Sequence, residues 1–430
     1  MSLKLLALGD LHIGRTPTRL PTSLQAQMAD YSPVTAWMAA VDLAVRESVD
    51  AVLVAGDLVE SNQDYFEGLG HLQRGAQTLE HHNIRFIVIS GNHDVDVLPR
   101  LVDDLPHCEL LGRHGDWQST VIASQSGKTD ERLTLWGWSF PAIRYEDNPL
   151  DNFPGRHGAG LNIGLLHCDR DQPGSRYAPV SSRDLANASL DAWLLGHIHQ
   201  PDSLTPTQPF GYLGSVTGLD AGEAGARGVW RLTVEQGQIC QCEHVPLAPL
   251  RWERLNLDCT GAETLAEVES RLTQRLHTLA TQLSDAPAMP RLVGLRLHLI
   301  GESAIPSATL TELAPPTDDP LPLPGAAQIQ WFVERQIIDL RPALSLQALA
   351  QRSDQPGLLA RKLLILERPV ADAERQALLE QAIEQARAAT LQGRWQRLPG
   401  ASPDAEQIAD WLRQSAQDAL RAMLSHESGD

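Results

Sequence analysis

The segment LDAWLLGHIHQP, residues 190–201, runs an apolar, strand-like stretch into a glycine and then offers two histidines separated by one isoleucine. Side chains alternate faces at an extended strand end, so His197 and His199 point to one side and Ile198 to the other. Burial alone explains such a pair poorly. Either both imidazoles are surface or strand-end residues, or they form one edge of a metal site, for which imidazole is the commonest protein ligand.

The same design recurs along the first half of the chain. Short apolar runs at 3–8 (LKLLAL), 51–55 (AVLVA), 84–89 (IRFIVI), 133–138 (LTLWGW), 161–166 (LNIGLL) and 192–195 (AWLL) read as buried strands, each closely followed by polar residues. Helical patterns at 34–48 and 65–82 separate the first three, which is the β-α-β alternation of a layered α/β domain. In such sheets the strand ends carry the chemistry.

After Pro201 the rhythm changes to FGYLGSVTG, GVWRLTVEQGQI and CEHVPL, which predict antiparallel hairpin strands completing a second sheet. A catalytic domain over 1–250 is therefore expected. Residues 251–340 (strand RWERLNLD, a helix over 262–283, strands RLVGLRLHLIG and IQWFVERQIIDL, with the Pro-rich loop ELAPPTDDPLPLPG) predict a small α+β accessory domain. Residues 341–430 are helical, with apolar positions such as Ala373, Leu378, Ile383 and Ala386 near helical spacing. They read either as an ordinary amphipathic bundle or as helices docking on a partner.

At 430 residues the chain exceeds the roughly 250–300 at which single cores stop growing, in keeping with more than one domain. Its apolar runs are far shorter than the roughly 18 residues of a membrane span, and MSLKLLALGD has no signal-peptide pattern, so a cytoplasmic protein without membrane association is expected. Five cysteines without a CxxC pair fit reduced thiols, and Cys240 and Cys242 read as same-face strand residues rather than a zinc site. Asp and Glu number 54 against 35 Lys and Arg, a formal charge of −19 that opposes nucleic-acid binding by the whole surface but leaves room for a local basic groove. Lys4, Lys128 and Lys362 are the only lysines, so the positive charge is nearly all arginine, which suits bidentate phosphate contacts or reflects coding bias.

Taken in order, the strand ends carry Gly9-Asp10-Leu11-His12, Gly56-Asp57, Gly91-Asn92-His93-Asp94, His167 and Gly196-His197-Ile198-His199. A single GD or DxH is frequent by chance and GNHD is a stronger signal, but the five together, in this order and each at a strand end, are very specific. Carboxylate and amide oxygens with imidazoles suit two divalent cations (Mn, Fe or Zn), and Asp57 is the natural bridge between them. The glycines before Asp10, Asp57, Asn92 and His197 are expected to let the backbone turn and approach the metals without a Cβ.

This set (DxH, GD, GNHD, H and GHxH) resembles the calcineurin-like metallophosphoesterases. LGDLHIGR at 8–15, VDAVLVAGDLVES at 49–61, FIVISGNHD at 86–94 and LLGHIHQP at 194–201 bring it nearer to the SbcD-like DNA-repair exonuclease subunits, especially their YhaO-type branch. The resemblance implies a layered α/β/β/α metallophosphoesterase sandwich. It implies that Asp10, His12, Asp57 and His199 hold one metal, and that Asp57, Asn92, His167 and His197 hold the other. It leaves His93 facing the scissile phosphate as a proton donor, with Asp94 orienting its imidazole. Some relatives carry a second active-site histidine three residues past the GD aspartate, where this chain has Glu60, which puts the balance of endonuclease and exonuclease activity in question. The remaining histidines, His71, His81, His82, His107, His114 and His157, match no motif and read as ordinary.

The implied function is a Mn-dependent DNA exonuclease in repair, 3′ to 5′ and with possible endonuclease activity. It would work with an SMC-like ATPase of the SbcC type and could homodimerise. Two other readings stand beside it: a phosphodiesterase or phosphatase for small nucleotide or lipid-linked phosphates, since fold does not fix substrate, and a non-catalytic scaffold. The intact ligand set counts against the last.

Overall fold

The computed structural model describes residues 2–124, 130–156, 158, 160–284, 289–313, 329–343, 345–390 and 404–427. The first part of the chain runs β1 (Leu3–Leu8), α1 (Pro33–Glu47), β2 (Ala51–Ala55), α2 (Tyr65–His81), β3 (Arg85–Ile89), α3 (Leu98–Asp104), β4 (Cys108–Leu110), β5 (Gln118–Ala123) and β6 (Arg132–Trp138). It continues with β7 (Leu161–His167), β8 (Asp169–Arg170), β9 (Pro179–Val180), α4 (Ser182–Asn187), β10 (Ala192–Gly196), β11 (Phe210–Tyr212), β12 (Gly228–Glu235) and β13 (Gln238–Pro246).

Two sheets result, a six-stranded one in the order β13-β12-β1-β2-β3-β4 and a five-stranded one in the order β11-β10-β7-β6-β5. The alternation of apolar residues explains why they stack. Leu3, Leu5 and Ala7 of β1, Ala51, Leu53 and Ala55 of β2, and Ile87 and Ile89 of β3 face Leu133, Leu135, Ile163, Leu165, Ala192 and Leu194 of the second sheet in one core. The intervening residues, Leu6, Leu8, Val52, Val54, Phe86 and Val88, face the other way against Trp37 of α1, Leu72 and Leu79 of α2 and Leu101 of α3. On the far face of the second sheet Trp136, Trp138, Leu166, Trp193 and Leu195 pack with Leu185 of α4. Strands buried on both faces need unbroken apolar runs, and that is why these segments do not alternate with polar residues. The layers are helix, sheet, sheet, helix, as expected.

α1 shows how a layer helix is fixed. Pro33 supplies its first turn, the face Ala36, Trp37, Ala40, Val41 and Ala44 is buried, and Ser48 ends it at φ 50° with its N–H on Ala44 O and Val45 O.

The stretch after Pro201 departs from expectation. β11 lies parallel to β10 at the edge of the second sheet, with Trp193 beside Phe210, rather than in a hairpin. The β12–β13 hairpin, turning through Gln236 and Gly237 at positive φ, joins the first sheet, where β12 runs antiparallel to β1 with Leu5 opposite Leu232. The cause is two-sided burial: Trp230, Leu232 and Val234 enter the intersheet core while Val229 and Val245 enter the helix-side core, and an edge added to β1 satisfies both. Cys240 and Cys242 both lie on β13, and the five cysteines are free.

β14 (Leu250–Asp258), α5 (Leu265–Ser284), β15 (Leu292–Ser303), α6 (Ser307–Leu310) and β16 (Gln330–Pro342) follow, the strands forming a three-stranded sheet in the order β14-β15-β16. α5 buries Val268, Leu272, Leu276, Ala280 and Leu283, a stripe at helical spacing. The Pro-rich segment from residue 314, His157 and the side chain of Ala386 lie outside the described residues. By internal contacts the chain forms two compact units, one of residues 1–257, 266–299 and 308–338, the other of 258–265, 300–307 and 339–430. In the second unit α7 (Leu346–Leu349), α8 (Gln355–Leu366), α9 (Ala373–Thr390) and α10 (Ala405–Glu427) share small cores of Leu346, Ala360, Leu363 and Leu420, and of Leu366, Leu379 and Ala409. Buried Arg375 ties α9 to α10 through both carboxylate oxygens of Glu406 at 2.9 Å. Leu378 and Ile383 are half-buried against the second of these cores, whereas Leu358, Ala373 and Trp411 are exposed.

Ile163 lies fully buried between the sheets, so Ile163→Ala is expected to lower unfolding stability by about 2–5 kcal/mol in urea titration, whereas exposed Ile143→Ala should change it by less than about 0.5 kcal/mol.

Candidate metal centre

Strands β1, β2, β3, β7 and β10 are parallel within their sheets, and the chemistry-bearing residues lie at or just past their C-terminal ends. Four backbone bonds lock the segment after β1 to the segment after β2: Asp10 N to Gly56 O (3.2 Å), His12 N to Asp57 O (3.0 Å), Ile13 N to Leu58 O (3.0 Å) and Glu60 N to Ile13 O (2.9 Å). Asp10, His12 and Asp57 sit in the left-handed region at φ 50°, 52° and 52°, and His197 at φ 99°. Such backbone costs roughly 1–2 kcal/mol per non-glycine residue, and it persists where surrounding contacts over-determine it.

The turn-making expected of the glycines therefore falls largely on the ligands themselves. Of the four glycines only Gly56 has positive φ, at 89°. Gly56, Gly91 and Gly196 are small for another reason: a Cβ there would stand 2.6 Å from His167 Nδ1, 2.2 Å from Asp57 Oδ1 and 1.9 Å from Ala55 O. Gly9 has ordinary room for a Cβ.

The predicted side chains converge. Asp57 Oδ2 lies 3.3 Å from His167 Nε2 and 3.8 Å from His12 Nε2. His12 Nε2 and His199 Nε2 are 3.1 Å apart, and Asn92 Oδ1 is 3.1 Å from both His167 Nε2 and His197 Nδ1. Asp10, His12 and His199 form one group whose donor atoms lie within 4.8 Å of one another, and Asp10, Asp57 and His167 form another. Asp10, His12, Asp57, Asn92 and His167 are buried, and His197 and His199 are half-buried.

The opposite ring nitrogens decide what these contacts mean. His12 Nδ1 meets Glu60 Oε2 at 2.6 Å, His199 Nδ1 meets Glu223 Oε1 at 2.8 Å, His167 Nδ1 meets Ala55 O at 2.9 Å, and His197 Nε2 meets Asp169 Oδ1 at 3.2 Å. Carboxylates and carbonyls only accept, so these nitrogens carry the hydrogens. In the neutral rings the inward nitrogens then present lone pairs: His12 to His199, and His167 and His197 to the Asn92 oxygen. Facing acceptors repel unless a cation or an extra proton stands between them. The donor set therefore fits divalent metal ions, and the outward tethers are the partners that fix tautomer and ring direction in metal-binding histidines.

Electrostatics agree. Burial opposes a charge on His167, yet neighbouring Asp57 and Asp10 outweigh it and push its pKa up to about 9. Asp57 moves down from the carboxylate range despite burial, because His167, His12 and His93 surround it. Burial and nearby His167 push His197 down. Divalent cations would take the place of the protons that the carboxylates otherwise draw in.

His93 stands at the rim, 42 % exposed, its backbone N–H donating to Asp57 Oδ1 at 2.9 Å and its Nδ1 3.3 Å from Glu60 O. Asp94 does not orient it. The Asp94 carboxylate is fully buried and accepts from Leu58 N at 2.7 Å and Gly91 N at 2.8 Å, so it braces the loop that presents Asn92 and His93. Sequence reading missed Asp169 and Glu223. Asp169 follows His167 by two residues and could have been suspected, whereas Glu223 is 24 residues from His199 with no local signal.

Residues 3–201 match the family model of the calcineurin-like phosphoesterases, and residues 252–314 match the middle domain of the metallophosphoesterase YhaO. The uncharacterized metallophosphoesterase YhaO of Bacillus subtilis is 25% identical over 265 residues, covering 59% of this chain and 61% of that protein. The DNA double-strand break repair protein Mre11 of Sulfolobus acidocaldarius is 32% identical over 92 residues, 21% of this chain and 22% of that protein. The chain thus spans less than two thirds of the length of either relative. Among solved structures, the calcineurin-like phosphoesterase YfkN from Bacillus subtilis overlaps 64% of this chain and 97% of its own at 13% identity, with a TM-score of 0.35. No described helix is long and apolar enough to cross a membrane.

Because Asp57 touches histidines of both groups, Asp57→Ala is expected to abolish binding of both ions, while His12→Ala chiefly weakens one. Elemental analysis of dialysed protein checks this; two ions retained by Asp57→Ala would refute the shared-carboxylate arrangement.

Proposed function

We propose that this metallophosphoesterase, whose residues 3–201 match the calcineurin-like phosphoesterases, is a phosphodiesterase that cuts DNA from its ends, 3′ to 5′. The observation that carries the hydrolase reading is the ring of tethered histidines whose lone pairs face one another around Asp57, with a half-exposed imidazole, His93, at its rim. Asp10, His12, Asp57 and His199 would hold one cation, and Asp57, Asn92, His167 and His197 the other, with manganese the proposed metal and iron or zinc chemically admissible. When bound, such cations polarise phosphoryl oxygens and make water a nucleophile at neutral pH.

The protein's own residues do the rest. Asp57 Oδ1 receives the His93 N–H and so fixes the His93 backbone against the centre. With its Nδ1 hydrogen directed to Glu60 O, the His93 ring leaves Nε2 to hold a proton for the departing oxygen.

DNA as substrate rests on the short likeness to Mre11 and on the sequence resemblance to repair exonuclease subunits. The formal charge of −19 weighs against strong duplex binding by the chain alone, so DNA affinity is assigned to an SMC-like ATPase partner. The same charge favours the second reading, hydrolysis of small nucleotide or lipid-linked phosphates.

Manganese-loaded protein incubated with end-labelled duplex and single-stranded DNA, beside a bis-aryl phosphodiester, separates the readings. Shortening of the labelled DNA is expected; cleavage of the reporter with DNA untouched would favour the small-substrate reading. His93→Ala should lower kcat by about 10²–10⁴ with metal content kept, the usual range for a lost proton donor. Loss of metal in that variant, or near-normal turnover, would remove His93 from the chemistry.

A further inference from the structure

Glu60 lies outside the proposed ligand set, yet its polar atoms meet both a proposed metal ligand and the proposed proton donor. Its Oε2 lies 2.6 Å from His12 Nδ1, its backbone carbonyl 3.3 Å from His93 Nδ1, and its Oε1 3.7 Å from the same nitrogen. The two rings stand edge to face with centroids 5.0 Å apart. Glu60 is held for this work: its own N–H is bonded to Ile13 O in the zipper that joins the ends of β1 and β2.

The carboxylate is only 29 % exposed, and no positive side chain is bonded to it among the described contacts apart from the histidines. With His12, His93 and Arg15 acting on it, it places a carboxylate charge beside the place where His93 meets phosphate. A histidine at this position could not supply two acceptor oxygens or that charge.

We propose that Glu60 is a positioning residue that fixes His12 and His93 together, and that its charge tilts the centre toward singly charged phosphodiesters and away from doubly charged phosphomonoesters. This rests on the phosphoester-hydrolase reading of the same site. A diester brings one negative charge near Glu60 and a monoester dianion brings two, so the repulsion grows with the second charge while the in-line geometry stays the same.

Glu60→Gln and Glu60→Ala separate the two effects. The glutamine keeps a carbonyl oxygen that accepts from His12 Nδ1–H but carries no charge; the alanine removes both. Calorimetric titration of metal-stripped protein with Mn²⁺ is expected to show one of the two ions weakened about 10- to 100-fold in Glu60→Ala, the usual loss when the partner of a metal-binding histidine is removed, and rescued by Glu60→Gln. Monoester and diester aryl phosphates then read the charge: in Glu60→Gln the ratio of monoester to diester kcat/KM should rise about tenfold. Thermal melting of both variants confirms folding.

Unchanged Mn²⁺ affinity in a folded Glu60→Ala overturns the tether, and an unchanged ratio in Glu60→Gln overturns the discrimination. If the wild-type protein hydrolyses neither reporter, the hydrolase reading falls and the discrimination with it, while the calorimetry still decides the tether.

Discussion

The fixed point of the site is the buried carboxylate of Asp57. It follows β2 by two residues, accepts the backbone N–H of His93, and lies within 4 Å of imidazole nitrogens of His12, beyond β1, and His167, at the end of β7. A carboxylate taken so far from water is costly unless compensated. Here the compensation comes from the histidines around it, and divalent cations would supply it more strongly. Several other features follow from placing that group there: Gly91 must lack a Cβ to pass Asp57, and the chain must enter left-handed backbone at Asp57 itself.

Position in the fold and chemistry are linked through the double sandwich. The intersheet core of aliphatic residues brings the C-terminal ends of β1, β2 and β3 against those of β7 and β10. Neither sheet alone holds a complete site. The first contributes Asp10, His12, Asp57 and Asn92, and the second contributes His167, His197 and His199. Close packing resists small displacements, so a core that fills the space between the sheets also sets the spacing of the donors.

Around the inner donors runs a second ring of acceptors: Glu60, Asp169, Glu223 and the Ala55 carbonyl. Each is aimed at the outward nitrogen of one histidine. Glu223 is itself anchored, accepting from Ser215 Oγ at 3.1 Å and Leu219 N at 3.2 Å. This ring turns a cluster of histidines into a set with defined tautomers, which is what distinguishes a metal centre from a group of buried imidazoles.

The sequence alone was enough to determine the layered fold class and the central strands, and to single out the candidate donors, because two-sided burial demands apolar runs and the candidates sit within a few residues of where those runs end. His167 and the GHIH pair could be placed by this rule without knowing which strands were neighbours. Partners distant in sequence needed the tertiary structure. Glu223 reaches His199 across 24 residues and Glu60 reaches His12 across 48, through loops with no periodic pattern. The same limit explains two of the misreadings. Asp94 adjoins His93 in sequence, but the turn over residues 92–97 sends its carboxylate to Leu58 N and Gly91 N instead. The β12–β13 hairpin is local and legible, yet the sheet it joins depends on which exposed edge can bury both of its faces, and only the packed sandwich decides that.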